Sequence, residues 1–127
     1  MAYCDAITLR LYSMSEPQFY WLKPAFKRFQ KEFTANAKSE ALEAIYEFSQ
    51  GLWPEDVDAR WMTEIGPGTI QITTKDRSDT YRTVIVVKGP KGATWIIGAF
   101  KKKAKSGIKT PQAELDTLKA RYKELMK

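Results

Sequence analysis

The stretch from Thr80 to Pro111, TYRTVIVVKGPKGATWIIGAFKKKAKSGIKTP, decides how the chain is read. Val84-Ile85-Val86-Val87 is a β-branched run of the kind that fills a buried strand. Gly89-Pro90-Lys91-Gly92 is a turn signal, and Thr94 to Phe100 is a second run of β-branched and aromatic residues. Together they predict a β-hairpin. Its second strand ends in Lys101-Lys102-Lys103-Ala104-Lys105, followed by Ser106-Gly107-Ile108-Lys109, so an apolar ribbon delivers a dense cationic run to one end of a sheet. Charge concentrated in this way selects an anionic partner.

Immediately upstream, Thr69 to Thr74 (TIQITT) is a strand by its β-branched content, and Asp76-Arg77-Ser78-Asp79 turns the chain into the hairpin. Strands near 69–74, 82–88 and 94–100 therefore form an antiparallel meander. Downstream, Thr110-Pro111 has the form of a hydroxyl cap followed by proline in the first turn of a helix. Leu115, Leu118, Tyr122 and Leu125 then recur at helical spacing.

Toward the N-terminus, Ile7 to Tyr12 (ITLRLY) alternates apolar and polar, as a half-buried strand does, and Phe19 to Leu22 is a short strand candidate. Pro24 suits the first turn of a helix whose Phe26, Phe29 and Phe33 make an aromatic stripe, read as core packing. After Thr34-Ala35-Asn36 a second helix places Ala41, Leu42, Ile45 and Tyr46 inward and Glu40, Glu43 and Glu47 outward, with Gly51 as its stop. Leu52 to Arg60 (LWPEDVDAR) reads as an acidic loop. It lacks the glycine-centred ligand pattern of a calcium loop, so no metal is expected there. The expected fold class is α+β: an N-terminal strand and a helical hairpin packed on an antiparallel β-meander, with a C-terminal helix.

The 127 residues suit a single domain. No apolar run is long enough to span a bilayer. The first residues lack the regions of a signal peptide, so the expected location is the cytoplasm. The single cysteine, Cys4, excludes an internal disulfide, and with no histidine in the chain it is not read as a nucleophile or metal ligand. The net charge of +6 hides an asymmetry: residues 1–81 carry 9 Lys/Arg against 12 Asp/Glu, whereas residues 82–127 carry 12 against 3. That polarity favours a polyanion as the ligand.

Three groups of residues carry a family likeness: Tyr81-Arg82 followed by Thr83 to Val87, Ala99-Phe100 followed by the lysine run, and Lys109-Thr110-Pro111 with Glu114-Leu115. In this order, after a helical hairpin, they resemble the RelE/ParE toxin superfamily, and most of all its HigB-like, phage-derived branch. The likeness covers roughly residues 19–127, with residues 1–18 an N-terminal extension of a single domain. It implies the toxin of a type II toxin–antitoxin system, most of whose kind are ribosome-dependent mRNA endoribonucleases. The implied partners are a cognate antitoxin, expected to be a helix-turn-helix protein, together with the ribosome and mRNA. No membrane and no cofactor is implied, and the oligomeric state is left open. ParE-like relatives poison gyrase instead, and a non-catalytic nucleic-acid-binding protein is the third reading.

Metal-free RNA cleavage needs a base for the 2′-OH, stabilisation of the charged phosphorane and a proton for the leaving 5′-oxygen. Histidine, the usual choice, is missing from this chain, so the arginine–lysine form of the site is the one implied. Arg82 stands where relatives contact the scissile phosphate, and its removal is expected to leave stability little changed. Lys101, Lys102, Lys103 and Lys105 are the acid–base candidates, the first three foremost, because mutual repulsion lowers lysine pKa values. Strand alternation sets Lys102 on the opposite side from Lys101 and Lys103, and Arg82 and Lys88 are read as sharing a face. Arg77, Lys88, Lys105, Lys109, Arg121 and Tyr122 are the expected RNA-binding residues. Where relatives often carry charge along the first meander strand, this chain offers Gln71, Thr73 and Lys75.

Overall fold

The computed structural model describes residues 7–8, 19–102 and 110–127. Cys4, Leu9 to Tyr12, Lys103, Lys105 and Lys109 lie outside the described residues. The elements run β1 (Ile7–Thr8), β2 (Phe19–Trp21), α1 (Lys23–Glu32), α2 (Ala35–Ser49), β3 (Asp58–Trp61), β4 (Thr69–Asp76), β5 (Asp79–Val86), β6 (Thr94–Lys102) and α3 (Gln112–Leu125). They form one sheet in the order β1-β2-β6-β5-β4-β3. The meander β4-β5-β6 is antiparallel as expected. Two features differ from the reading above. The acidic loop closes with a strand, β3, antiparallel to β4, and β2 runs parallel to β6.

Both faces of the sheet are covered, and the period of 2 along β5 sorts its residues between them. Tyr81 and Ile85 join Ile70 and Ile72 of β4 beneath the helical hairpin. Val84 and Val86 join Trp95, Ile97 and Phe100 of β6 beneath Leu118 and Leu125 of α3. The phenylalanine stripe of α1 packs inward as expected. Ring centroids run from Trp21 to Phe29 at 4.6 Å, Phe29 to Phe33 at 4.7 Å, and Phe33 to Tyr81 at 4.9 Å, tying β2, α1 and β5 together. Thr34 caps α2 by accepting from the Ala37 N–H, and Gly51 takes a positive φ of 83° just past its end.

Two details fix how α3 and α1 seat on the sheet. Between Val84 and Ile85 the pairing with β6 slips by one residue, so that Gly98 faces Val84 while Ile96 faces Ile85. Ile97 is the extra residue of this bulge, and its carbonyl accepts a 2.8 Å hydrogen bond from Arg121 of α3. A Cβ on Gly98 would lie 2.4 Å from Leu118 Cδ2, so the helix approaches as closely as a bare backbone allows. On the other side, β2 covers β6 only from Thr94 to Ile96, and α1 takes over beyond it. There Glu32 accepts from the Lys101 backbone N–H at 2.8 Å, while Arg28 binds both Glu32 and Glu114 of α3. Burial alone would raise the Glu32 carboxyl, but the hydrogen bonds from Arg28 and Lys101 outweigh it and hold the group below its ordinary value.

Gly98→Ala should destabilise the fold by about 1–3 kcal/mol, the usual scale for overpacking. Combining it with Leu118→Ala should recover part of that loss in a chemical-denaturation double-mutant cycle; strict additivity would show that the two do not touch. Because Glu32 binds its proton less tightly folded than unfolded, its contribution is complete above an unfolded-state value of about 4.3. It drains as pH falls through the lower native value. Thermal unfolding followed between pH 6 and pH 3 should therefore show a shallower acid decline for Glu32→Gln than for the wild type.

Candidate nucleic-acid interface

The register of four strands lays out the α3 face of the sheet as a grid. Asp58, Thr73, Arg82 and Phe100 lie directly opposite one another across β3, β4, β5 and β6. One step toward the middle of the sheet, Arg60, Gln71, Val84 and Gly98 form the next row on the same face. One step the other way come Lys75, Thr80 and Lys102. Strand spacing puts the Lys75 and Lys102 backbones about 10 Å apart with β5 between them. Three cationic side chains, Arg60, Lys75 and Lys102, therefore stand around a fourth, Arg82.

Arg82 itself is 4% exposed, in the centre of the sheet. Its Nη1 donates to Thr110 Oγ1 at 3.0 Å, and that hydroxyl donates to Gln71 Oε1 at 2.6 Å. This explains why α3 starts one residue later than a threonine cap would place it. The Thr110 hydroxyl is committed to Arg82 and Gln71, and Pro111 holds the N-cap position with no side-chain cap. It also argues against the expectation that Arg82 can be removed with little loss of stability, because truncation empties a buried position and takes away the donor that Thr110 Oγ1 accepts. Burial, then the charge of Arg60, pushes the Arg82 pKa down, with Asp58 opposing. An arginine remains charged under such pressure. Partial desolvation, then Arg82 and Lys75, lowers the Lys102 ammonium from its ordinary value.

Of the expected site residues the structure brings Arg82 and Lys102 together, and Arg77 sits exposed at the turn leaving Lys75, with a left-handed φ of 59°. Lys101 points to the other face, level with Tyr81, and its Nζ lies 3.4 Å from Asp79. Lys88 follows the far end of β5, so it does not share a site with Arg82. Arg121 is drawn to the Ile97 carbonyl, its pKa lowered by burial and then by Arg28. Tyr122 donates to the Pro67 carbonyl at 2.8 Å, and its ring occupies the space that a Cβ on Gly66 would need. Both α3 side chains are thus occupied in seating the helix.

Arg60 was not anticipated. Its signal was present, since Asp58-Ala59-Arg60-Trp61 alternates polar and apolar, but the run of acids ahead of it reads as loop. Among the described residues no cluster of three or more His, Cys, Asp and Glu could hold a metal ion, and no helix is long and apolar enough to cross a membrane.

The family profile described as Phage derived protein Gp49-like (DUF891) matches residues 28–123. The chain belongs to the Gp49-like family. The matched span takes in every residue of the cationic grid, together with the α1 and α3 residues that seat the helices, and leaves out β1 and β2. No curated protein and no solved structure matches this Gp49-like chain.

Because Lys102 binds its proton less tightly folded than unfolded, its charge opposes folding below the native value. The penalty fades as pH climbs toward the unfolded lysine value of about 10.4. Lys102→Met should therefore raise the melting temperature at pH 7, and the gain should shrink with added salt. A lowered melting temperature would show that Lys102 does not sit in the field of Arg82 and Lys75.

Proposed function

We propose that this Gp49-like chain is the toxin of a type II toxin–antitoxin pair and cleaves mRNA on the ribosome as a metal-independent endoribonuclease. The observation that carries this reading is the gathering of Arg60, Lys75 and Lys102 around Arg82 on one face, with Lys102 shifted toward its neutral form. The family match and the positive C-terminal half of the chain support it. Its partners are mRNA and the ribosome, and a neutralising antitoxin of helix-turn-helix type.

The chemistry divides among the residues of the grid. Lys102 in its neutral form takes the proton of the 2′-OH as the 2′-oxygen bonds to phosphorus. The bond from phosphorus to the 5′-oxygen breaks, and the Lys75 ammonium supplies the proton that the leaving oxygen needs. The products are a 2′,3′-cyclic phosphate and a 5′-hydroxyl. The exposed Arg60 fork suits the non-bridging oxygens. Arg82 lies below the surface, so it contributes a fixed positive field under the phosphorane and depresses Lys102. Lys103, Lys105 and Lys109 extend the same cationic run and serve in holding the RNA backbone.

The burial of Arg82 favours one other reading, a passive binder of phosphate backbones. Induced expression with primer extension on a reporter mRNA separates the two. Wild type should produce new 5′ ends and arrest growth. Lys102→Ala should reduce cleavage by about 100-fold, the lower range for losing an acid–base group. Lys101→Ala, on the opposite face, should cleave nearly as wild type does. Arrest with intact mRNA and a DNA-damage response would point to gyrase. Salt-sensitive RNA binding with no arrest would leave only the passive binder.

A further inference from the structure

The opposite side of the β3 edge has a different chemistry. A groove of about 510 Å³ runs between α2, residues 54–58 and the end of β4, and its carboxylates are Glu40, Glu43, Glu47, Glu55, Asp56 and Asp58. Lys75 is the single cationic lining residue, and none of the described ion pairs involves these six acids. Thr74 also lines the groove, is 6% exposed, and its hydroxyl has no hydrogen-bond partner. A buried hydroxyl in that condition is an unmet demand for a polar group.

Beside the groove, Trp53 and Trp61 meet at a tilt of 42° with centroids 5.4 Å apart, and Phe48 meets Trp53 edge-on at 5.1 Å. Trp53 is 45% exposed, Trp61 51% and the adjoining Leu52 59%. Among the described residues no strand pairs with the outer side of β3. An aromatic pair left in water next to an unpaired strand edge is the kind of surface that a protein partner covers.

We infer that the Trp53–Trp61 pair and the adjoining acidic groove form one docking surface for a basic segment of a partner protein. Its Lys or Arg side chains enter among the α2 and loop carboxylates, and its apolar residues cover the two indoles. Charge selects this occupant. Nucleic acid is repelled by six carboxylates, and an uncharged peptide leaves them without counter-charges. The groove meets the cationic grid at Asp58, Thr73 and Lys75, but the docking surface rests on the α2 and loop carboxylates and the two indoles and does not depend on the nuclease reading.

The test uses the full chain and a synthetic peptide of alternating lysine and leucine, with an alternating glutamate and leucine peptide and single-stranded RNA as controls. Trp21 and Trp95 are 0% and 2% exposed, so the fluorescence change should come from Trp53 and Trp61. The basic peptide should bind saturably at one site, with a tryptophan signal that Trp53→Phe combined with Trp61→Phe removes. Glu43→Gln with Glu47→Gln should weaken it by about ten-fold, as loss of charge complementarity does. Asp116→Asn with Glu124→Gln, on exposed positions of α3, should leave binding unchanged. Equal weakening by both pairs would overturn the proposal, as would a peptide signal that survives without Trp53 and Trp61. Absence of binding would overturn it too, as would a groove-dependent shift of the chain alone to a dimer in sedimentation, since the occupant would then be a second copy.

Discussion

A strand covered by helices on both faces offers no solvent side on which to set a charge, and β5 carries Arg82 all the same. Its neighbours along the strand, Tyr81, Thr83 and Val84, are buried, and so is the guanidinium. A charge in that position is tolerable only when its donors are met. Thr110 accepts from one of them and is held in turn by Gln71, and much of the surrounding architecture follows. The Thr110 hydroxyl is turned inward, the chain enters α3 directly over β5, and Leu118 is carried onto Gly98. A core of plain hydrophobic residues would hold the same layers together, so the fold itself gives no reason for the arginine. Buried charge of this kind concentrates where its field is used.

What could be read in the sequence divides along the same physical line. The meander and the three helices were legible because each buries a face, and burial writes a period into the chain. The aromatic stripe of α1 and the leucines of α3 carry that period plainly. The strand β3 was not legible: three of its four side chains are exposed, and its order comes from pairing with β4. The parallel seating of β2 on β6 was hidden for a related reason, since three residues carry no mark of their partner's direction. The site divided likewise. Arg82 and Lys102 could be placed by counting along strands, whereas Arg60 could be placed only once β3 was known. Lys88 lies beyond the end of β5, away from Arg82, and helix seating engages the polar ends of Arg121 and Tyr122.

The net charge of +6 averages two unlike surfaces. The α3 face gathers arginine and lysine in a grid set by strand register. The groove between α2 and the loop before β3 gathers carboxylates. Asp58 and Lys75 stand at the boundary, each lining the groove while occupying the grid. Charges of both signs therefore stand close together at one sheet edge, each set open to a ligand of the opposite sign.

The bulge at Ile97 acts as a phase shifter. Upstream of it the odd-numbered Trp95 faces α3, and downstream it is the even-numbered Gly98, Phe100 and Lys102 that do. Were the extra residue smoothed out, every later side chain of β6 would change sides, and Lys101 would arrive where Lys102 now stands. A run of identical residues absorbs such a slip, because the incoming side chain is again a lysine. The repetition in Lys101-Lys102 thus keeps a lysine opposite Thr80 in either register.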